Sequence, residues 1–125
     1  MWTLDHARAT YSLEHWGGGY FDVNGRGHLV ARPRRTPGSP TVDLYELARA
    51  CRDRGLTLPV LVRFNDILRD RVDTLCEAFA RARETVGYGG RYTAVYPIKV
   101  NQQRSVVAEI LGHGGDRVGL EAGSK

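Results

Sequence analysis

Apolar residues recur along this chain with two different periods, and the switches between them mark its elements. Residues 1–19 are weakly periodic and end on Trp16-Gly17-Gly18-Gly19, a run that predicts a sharp bend. From Tyr20 the pattern alternates: Tyr20-Phe21-Asp22-Val23, then Asn24-Gly25-Arg26-Gly27, then His28-Leu29-Val30-Ala31. Asn-Gly between two strand-like runs is a strong hairpin signal. Pro33 to Pro40 reads as a linker. Asp43 then opens a helix, with Glu46 three residues on as a capping-box partner. Leu44, Leu47, Ala48 and Cys51 make its apolar stripe, and Gly55 closes it.

Leu58 to Val62 reads as a short strand, with Pro59 near its start, where a missing N–H is tolerated. Asn65 or Asp66 caps a long helix whose Ile67, Leu68, Val72, Leu75, Cys76 and Phe79 recur at helical spacing as a core stripe. Gly87 to Gly90 breaks it. Tyr92 to Ile98 is the next strand. Asn101 caps a helix carrying Val106, Val107, Ile110 and Leu111, ended by Gly112-His113-Gly114-Gly115. Val118 to Glu121 is a further strand. Strands alternating with helices from residue 58 predict an α/β fold of βαβ units on a parallel sheet. Ligands of such sheets sit at the carboxyl ends of the strands. Lys99 and Glu121 both fall at those ends, on successive strands.

At 125 residues, with 42% hydrophobic and 26% charged content, the chain is one domain's worth at most. A net charge of +4 raises the question of nucleic acid. The arginines are spread along the helices, the densest group (Arg32, Arg34, Arg35) lies beside prolines, and no aromatic-interleaved basic patch exists. We therefore expect no nucleic-acid partner. Cys51 and Cys76 sit on helix stripes without CxxC or histidine spacing, so neither a zinc site nor a disulfide is expected. His28 reads as a surface strand residue. The first residues lack a secretory apolar core, and no apolar run reaches membrane-spanning length. No membrane partner and a cytoplasmic location follow as expectations.

Lysine usage sharpens the reading. Of 18 Lys and Arg residues, only Lys99 and the final Lys125 are lysines. A primary amine can lose its proton and attack a carbonyl, which guanidinium cannot do. Lys99, at the end of an apolar run that reads as a buried strand, is therefore a candidate for Schiff-base chemistry. The plainer reading is a lysine snorkelling from a strand end in an arginine-rich chain.

The stretch Tyr96-Pro97-Ile98-Lys99-Val100-Asn101-Gln102-Gln103-Arg104, followed by Gly119-Leu120-Glu121-Ala122-Gly123-Ser124-Lys125, resembles the biosynthetic arginine decarboxylases. Two further blocks, Trp16 to Asn24 and Leu58 to Phe64 with Asp66-Ile67-Leu68, agree with it in order. The lysine block alone would also suit relatives acting on ornithine or diaminopimelate. The resemblance implies a fold-type-III, alanine-racemase-like enzyme that converts L-arginine to agmatine and CO2 for polyamine synthesis. It implies pyridoxal 5'-phosphate held as a Schiff base on Lys99, with Glu121 and Ser124 beside the cofactor, and Asn101 and Ser124 as supporting hydrogen bonders. For Glu121 an electrostatic role and a structural strand-end role stay open. Magnesium, with no ligand assigned here, and a homo-oligomer are implied for the full enzyme.

The implied fold is a (β/α)8 barrel of about 250 residues. This chain would then be an N-terminal piece: residues 1–40 a β segment and linker, residues 41–125 the first βα units. Such a piece is expected to be inactive alone. A non-catalytic regulatory fragment of the same fold is the reading from a different class, and the presence of Lys99 speaks against it.

Overall fold

The computed structural model describes residues 1–36 and 38–123, in two units, Met1–Phe64 and Asn65–Lys125. The first unit begins with α1 (Leu4–Thr10), where the Thr3 hydroxyl accepts the His6 N–H at 3.2 Å. This is ordinary N-capping, with Asp5 in the first turn and Arg8 in the last. The one-turn helix α2 (Leu13–Trp16) follows. Neither helix was expected from the weak periodicity of residues 1–19. Both are shorter than the window over which a helical period can be read. Gly18 and Gly19, at φ of 55° and 80°, then make the expected bend.

The expected hairpin forms: β1 (Phe21–Val23) pairs antiparallel with β2 (Leu29–Ala31), Asp22 opposite Val30. Asn24 shapes the turn, its Oδ1 accepting the N–H groups of Arg26 and His28 at 2.9 and 3.0 Å. A third strand, β3 (Val42–Asp43), returns along β2. It is only two residues long, too short to show alternation. Asp43 Oδ1 accepts the Tyr45 and Glu46 N–H groups, both at 3.1 Å, and so caps α3 (Leu44–Asp53). The Glu46 carboxylate meets Arg26 Nη1 at 3.2 Å. The buried apolar residues of this unit are Ala7, Leu13, Tyr20, Val23, Val30 and Ala31.

Leu58 to Val62, expected as a strand, has no ladder partner among the described residues. Leu58 and Leu61 are 63% and 81% exposed. Apolar composition alone does not make a strand, because its backbone groups need a neighbour to bond.

The second unit opens with α4 (Asn65–Val86), 22 residues long. After the break at Gly87, β4 (Ala94–Pro97) runs into a 3-10 turn at Ile98–Val100. Then come α5 (Arg104–Gly114), a second 3-10 turn at Gly115–Arg117, and β5 (Val118–Glu121). β4 and β5 pair in parallel, Ala94 with Val118 through Pro97 with Glu121. This is one βαβ unit, as expected from residue 92 onward.

Cys76, Ala94, Val106 and Ile110 are buried. The α4 stripe read as core is covered only in part: Leu75 and Phe79 stay 47% and 45% exposed. Length explains this. At roughly 1.5 Å per residue α4 runs about 33 Å, whereas four-residue strands span about 13 Å. Phe79 stacks on Tyr92 instead, with ring centroids 4.1 Å apart and planes within 9°.

The described fold is thus mixed α/β with two small sheets, one antiparallel and one parallel.

Candidate active site

Alternation along β4 and β5 sorts the side chains around the site. Ala94 is buried and Tyr96 half-buried beside Leu68, Val72, Leu75 and Ile110 of the helices, whereas Val95 between them is 55% exposed. Paired residues of a parallel ladder share a face, so Pro97 and Glu121 share the other one. Glu121 is the last residue of β5, and Lys99 sits in the turn directly after β4. The sequence reading that put both groups at the carboxyl ends of neighbouring strands holds.

Lys99 differs from that reading in one respect: it is exposed in a 3-10 turn, not buried in a strand. The strand ends at Pro97, which lacks an N–H for the ladder. Lys99 Nζ has no hydrogen bond or ion pair among the described residues. Ile98, Lys99, Gln102, Ala122 and Gly123 line an open depression of about 350 Å³. Among the described residues Lys99 is the only charged group of that lining.

Asn101 does not cap α5. The residue before the helix is Gln103, whose side chain makes no cap hydrogen bond. Asn101 Oδ1 instead accepts the Gln103 N–H at 3.0 Å, a local turn that competes with capping. Ser124, expected beside the cofactor, lies outside the described residues, as does Lys125. One group was missed. The Tyr96 hydroxyl donates to the Asn101 carbonyl at 3.1 Å, spanning the turn that carries Lys99. No sequence pattern marks an aromatic hydroxyl that reaches a carbonyl five residues on.

The strands are held in place by charged ties behind them. Glu109 of α5 takes Arg69 Nε and, at 2.9 Å, Asn65 Nδ2, both from α4. Asp73 of α4 meets His113 Nε2 and Arg117 Nη2, each at 2.8 Å. Burial pushes the Asp73 carboxyl up, and the hydrogen bonds from His113 and Arg117 outweigh it, so the group sits below its ordinary value. Arg117 directly precedes β5, so this cluster fixes where the Glu121 strand begins.

In the first unit, too, a carboxylate gathers arginines. Asp22 takes Arg8 Nε at 2.8 Å and Arg32 Nη2 at 2.6 Å. The Arg8 hydrogen bond holds its carboxyl below the usual range. His28, expected as a surface residue, is half-buried, with Nδ1 2.9 Å from Asp43 Oδ2 and its ring against Tyr45. Cys51 and Cys76 are free thiols. Among the described residues no cluster of His, Cys, Asp or Glu could hold a metal ion, and no helix is long and apolar enough to cross a membrane.

No protein-family model matches the chain. It is 59% identical over 124 residues to the biosynthetic arginine decarboxylase of Alkalilimnicola ehrlichii, covering 99% of this chain and 20% of that protein. The protein of the same name from Pseudomonas aeruginosa is 50% identical, with 99% and 19% covered. The crystal structure of the biosynthetic arginine decarboxylase of Campylobacter jejuni matches with a TM-score of 0.78 and 32% identity, over 92% of this chain and 19% of that one. The chain spans about a fifth of the length of the curated relatives it matches. The resemblance to the biosynthetic arginine decarboxylases read from four sequence blocks thus holds over the whole chain.

Proposed function

We propose that this chain is a segment of a biosynthetic arginine decarboxylase and carries the lysine that holds its pyridoxal 5'-phosphate. One observation carries the reading. Lys99 follows, and Glu121 ends, one of two parallel, hydrogen-bonded strands, at the carboxyl ends where ligands of such sheets bind. The names of the relatives favour L-arginine over ornithine or diaminopimelate, and agmatine and CO2 as products feeding polyamine synthesis. The β4–α5–β5 unit is a building block of a (β/α)8 barrel, and we assign it to one in the full-length protein.

The residues present fit such a cofactor. A primary amine without a hydrogen-bond partner among the described residues faces an open depression, with a carboxylate on the neighbouring strand end. When bound, the cofactor supplies an electron sink for the charge left as CO2 departs. Lys99 would hold it through Nζ, and the same amine, when free, would carry a proton. Glu121 contributes negative charge that favours a protonated nitrogen nearby. The full enzyme is assigned to the cytoplasm and to a homo-oligomer. Magnesium, implied for the full enzyme, finds no ligand cluster among the described residues.

The test is borohydride reduction of the full-length protein with pyridoxal phosphate, followed by peptide mapping. The label is expected on Lys99, and Lys99→Arg should lose both label and turnover, because guanidinium cannot form the imine. A label elsewhere, or none, overturns the assignment.

A further inference from the structure

The turn that presents Lys99 is weakly held by packing. Lys99 and Val100 are exposed, Val100 by 71%, and Ile98 is half-buried. Its 3-10 geometry has poorer hydrogen bonds than an α-helix, and Pro97 at its head can donate none. Across this turn runs one side-chain hydrogen bond among the described residues, from Tyr96 Oη to the Asn101 carbonyl at 3.1 Å. Its two ends are anchored separately. Tyr96 lies in the β4–β5 ladder opposite Leu120, with its ring among the apolar residues of α4 and α5. Asn101 is fixed by its own bond to the Gln103 N–H, just ahead of α5.

From this geometry we propose that Tyr96 is a positioning residue for Lys99. Its hydroxyl ties the far end of the turn back to the strand, so that Nζ is delivered over the depression bounded by Gln102, Ala122 and Gly123. Without that bond the two ends of the turn are no longer tied to each other, and the amine samples a larger volume. Capturing a carbonyl needs the amine placed near the reacting atom, so the loss appears in the rate of capture. The proposal rests on the reading that Lys99 holds the cofactor.

The experiment compares wild type, Tyr96→Phe and a Tyr96→4-aminophenylalanine variant of the full-length protein. Removing the hydroxyl leaves the ring packing intact, and the aniline N–H restores a donor at the same place. Two readouts are taken. One is hydrogen exchange of the Ile98–Asn101 amides without cofactor. The other is the rate at which pyridoxal phosphate and borohydride label Lys99. In Tyr96→Phe both should change by roughly three- to tenfold, exchange faster and labelling slower, as expected for one neutral hydrogen bond. Exchange of the α5 amides should stay as in wild type, and the amino variant should recover most of both effects. If the turn amides are unaffected, the bond does not hold the turn and the proposal fails. If they loosen while labelling keeps its wild-type rate, Tyr96 is structural only and the proposal fails again. Poor folding of Tyr96→Phe alone, with the amino variant behaving as the wild type in both readouts, supports it. Absence of Lys99 label in the wild type overturns the cofactor reading itself, and this proposal with it.

Discussion

Pro97 and Glu121 face each other as the last pair of the parallel β4–β5 ladder. That pairing puts Glu121 on the strand end next to the one that Lys99 follows. Neighbouring strands lie roughly 4.8 Å apart, and Lys99 follows Pro97 by two residues, so Glu121 lies alongside the amine's turn without being on its strand. The same register places Gly119 beside Val95, leaving that face without a bulky side chain from β5 below Glu121.

Glu121 should therefore tune the chemistry rather than perform it. A nearby negative charge stabilises a protonated nitrogen, so removing it lowers that nitrogen's pKa. Glu121→Gln in the full-length protein is expected to keep bound cofactor and to move the pH dependence of the cofactor absorbance downward. Turnover should fall by roughly ten- to a hundredfold, about 1.4 to 2.7 kcal/mol of barrier. A variant that titrates and turns over like wild type would reduce Glu121 to a strand-end residue.

Asp73 gives a stability prediction. Its two oxygens reach His113 and Arg117 from α4, and both partners lie just before β5. Asp73→Asn keeps the shape and removes the charge. About a third of the carboxylate is exposed, so screening trims its contribution to about 1 kcal/mol. Thermal melting should show a drop of a few degrees. The solvated pair Glu77–Arg81 at 3.7 Å is the control. Glu77→Gln should change the midpoint by under about 0.5 kcal/mol equivalent.

What the sequence revealed depended on whether the signal was local. The Asn24-Gly25 turn, the Asp43 cap and the β5 limits are set by nearby residues, and all three could be read. So could the placing of Lys99 and Glu121 on adjacent strand ends, because a βαβ connection fixes which strands are neighbours. Four features were not legible. Leu58 to Val62 has the composition of a strand, but a ladder depends on a partner elsewhere in the chain. The two-residue β3 is too short for a period. The Tyr96–Asn101 bond and the exposed turn at Lys99 both follow from Pro97 ending the strand early, and the alternation of Tyr92 to Ile98 concealed that stop.

Acid should weaken the first unit through Asp43. Partial burial pushes its carboxyl up, but hydrogen bonds from the Glu46 N–H, His28 and Asn24 outweigh this and hold it at about 2, against an ordinary 3.8. A depressed carboxylate pKa means that the folded state binds its proton later than the unfolded chain does. The stabilisation is fully present above about pH 4 and is lost as the pH falls towards 2. Asp43→Asn should therefore be less stable than wild type at neutral pH, with the two stabilities converging between pH 4 and 2. Circular dichroism melts across that range would show it. A constant gap between the two proteins would mean that the carboxylate charge is not what Asp43 contributes.

Gly114 is a position where a single methyl group should do damage. It is buried at the end of α5, and a Cβ built there would lie 2.3 Å from Val118 Cγ2 and 2.7 Å from Val118 Cβ. Two effects oppose each other in Gly114→Ala. Alanine gains up to about 1 kcal/mol of helix propensity in a helix interior, and less at a helix end. Overpacking costs about 1–3 kcal/mol, and more where the neighbour cannot move. The branched Cβ of Val118 is fixed at the start of β5, so it cannot swing aside as the end of a flexible chain would. The clash should win, with net destabilisation of about 1–2 kcal/mol in thermal or denaturant unfolding. Because β5 carries Glu121, its shift should also alter the pH dependence of the cofactor absorbance. The companion change Val118→Ala removes Cγ2, the atom of the shortest contact, and leaves Cβ in place. The double variant should recover part of the stability that Gly114→Ala loses, a coupling of about 1 kcal/mol or more. Strictly additive losses would show that the methyl group acts on the helix alone and not through the strand that carries Glu121.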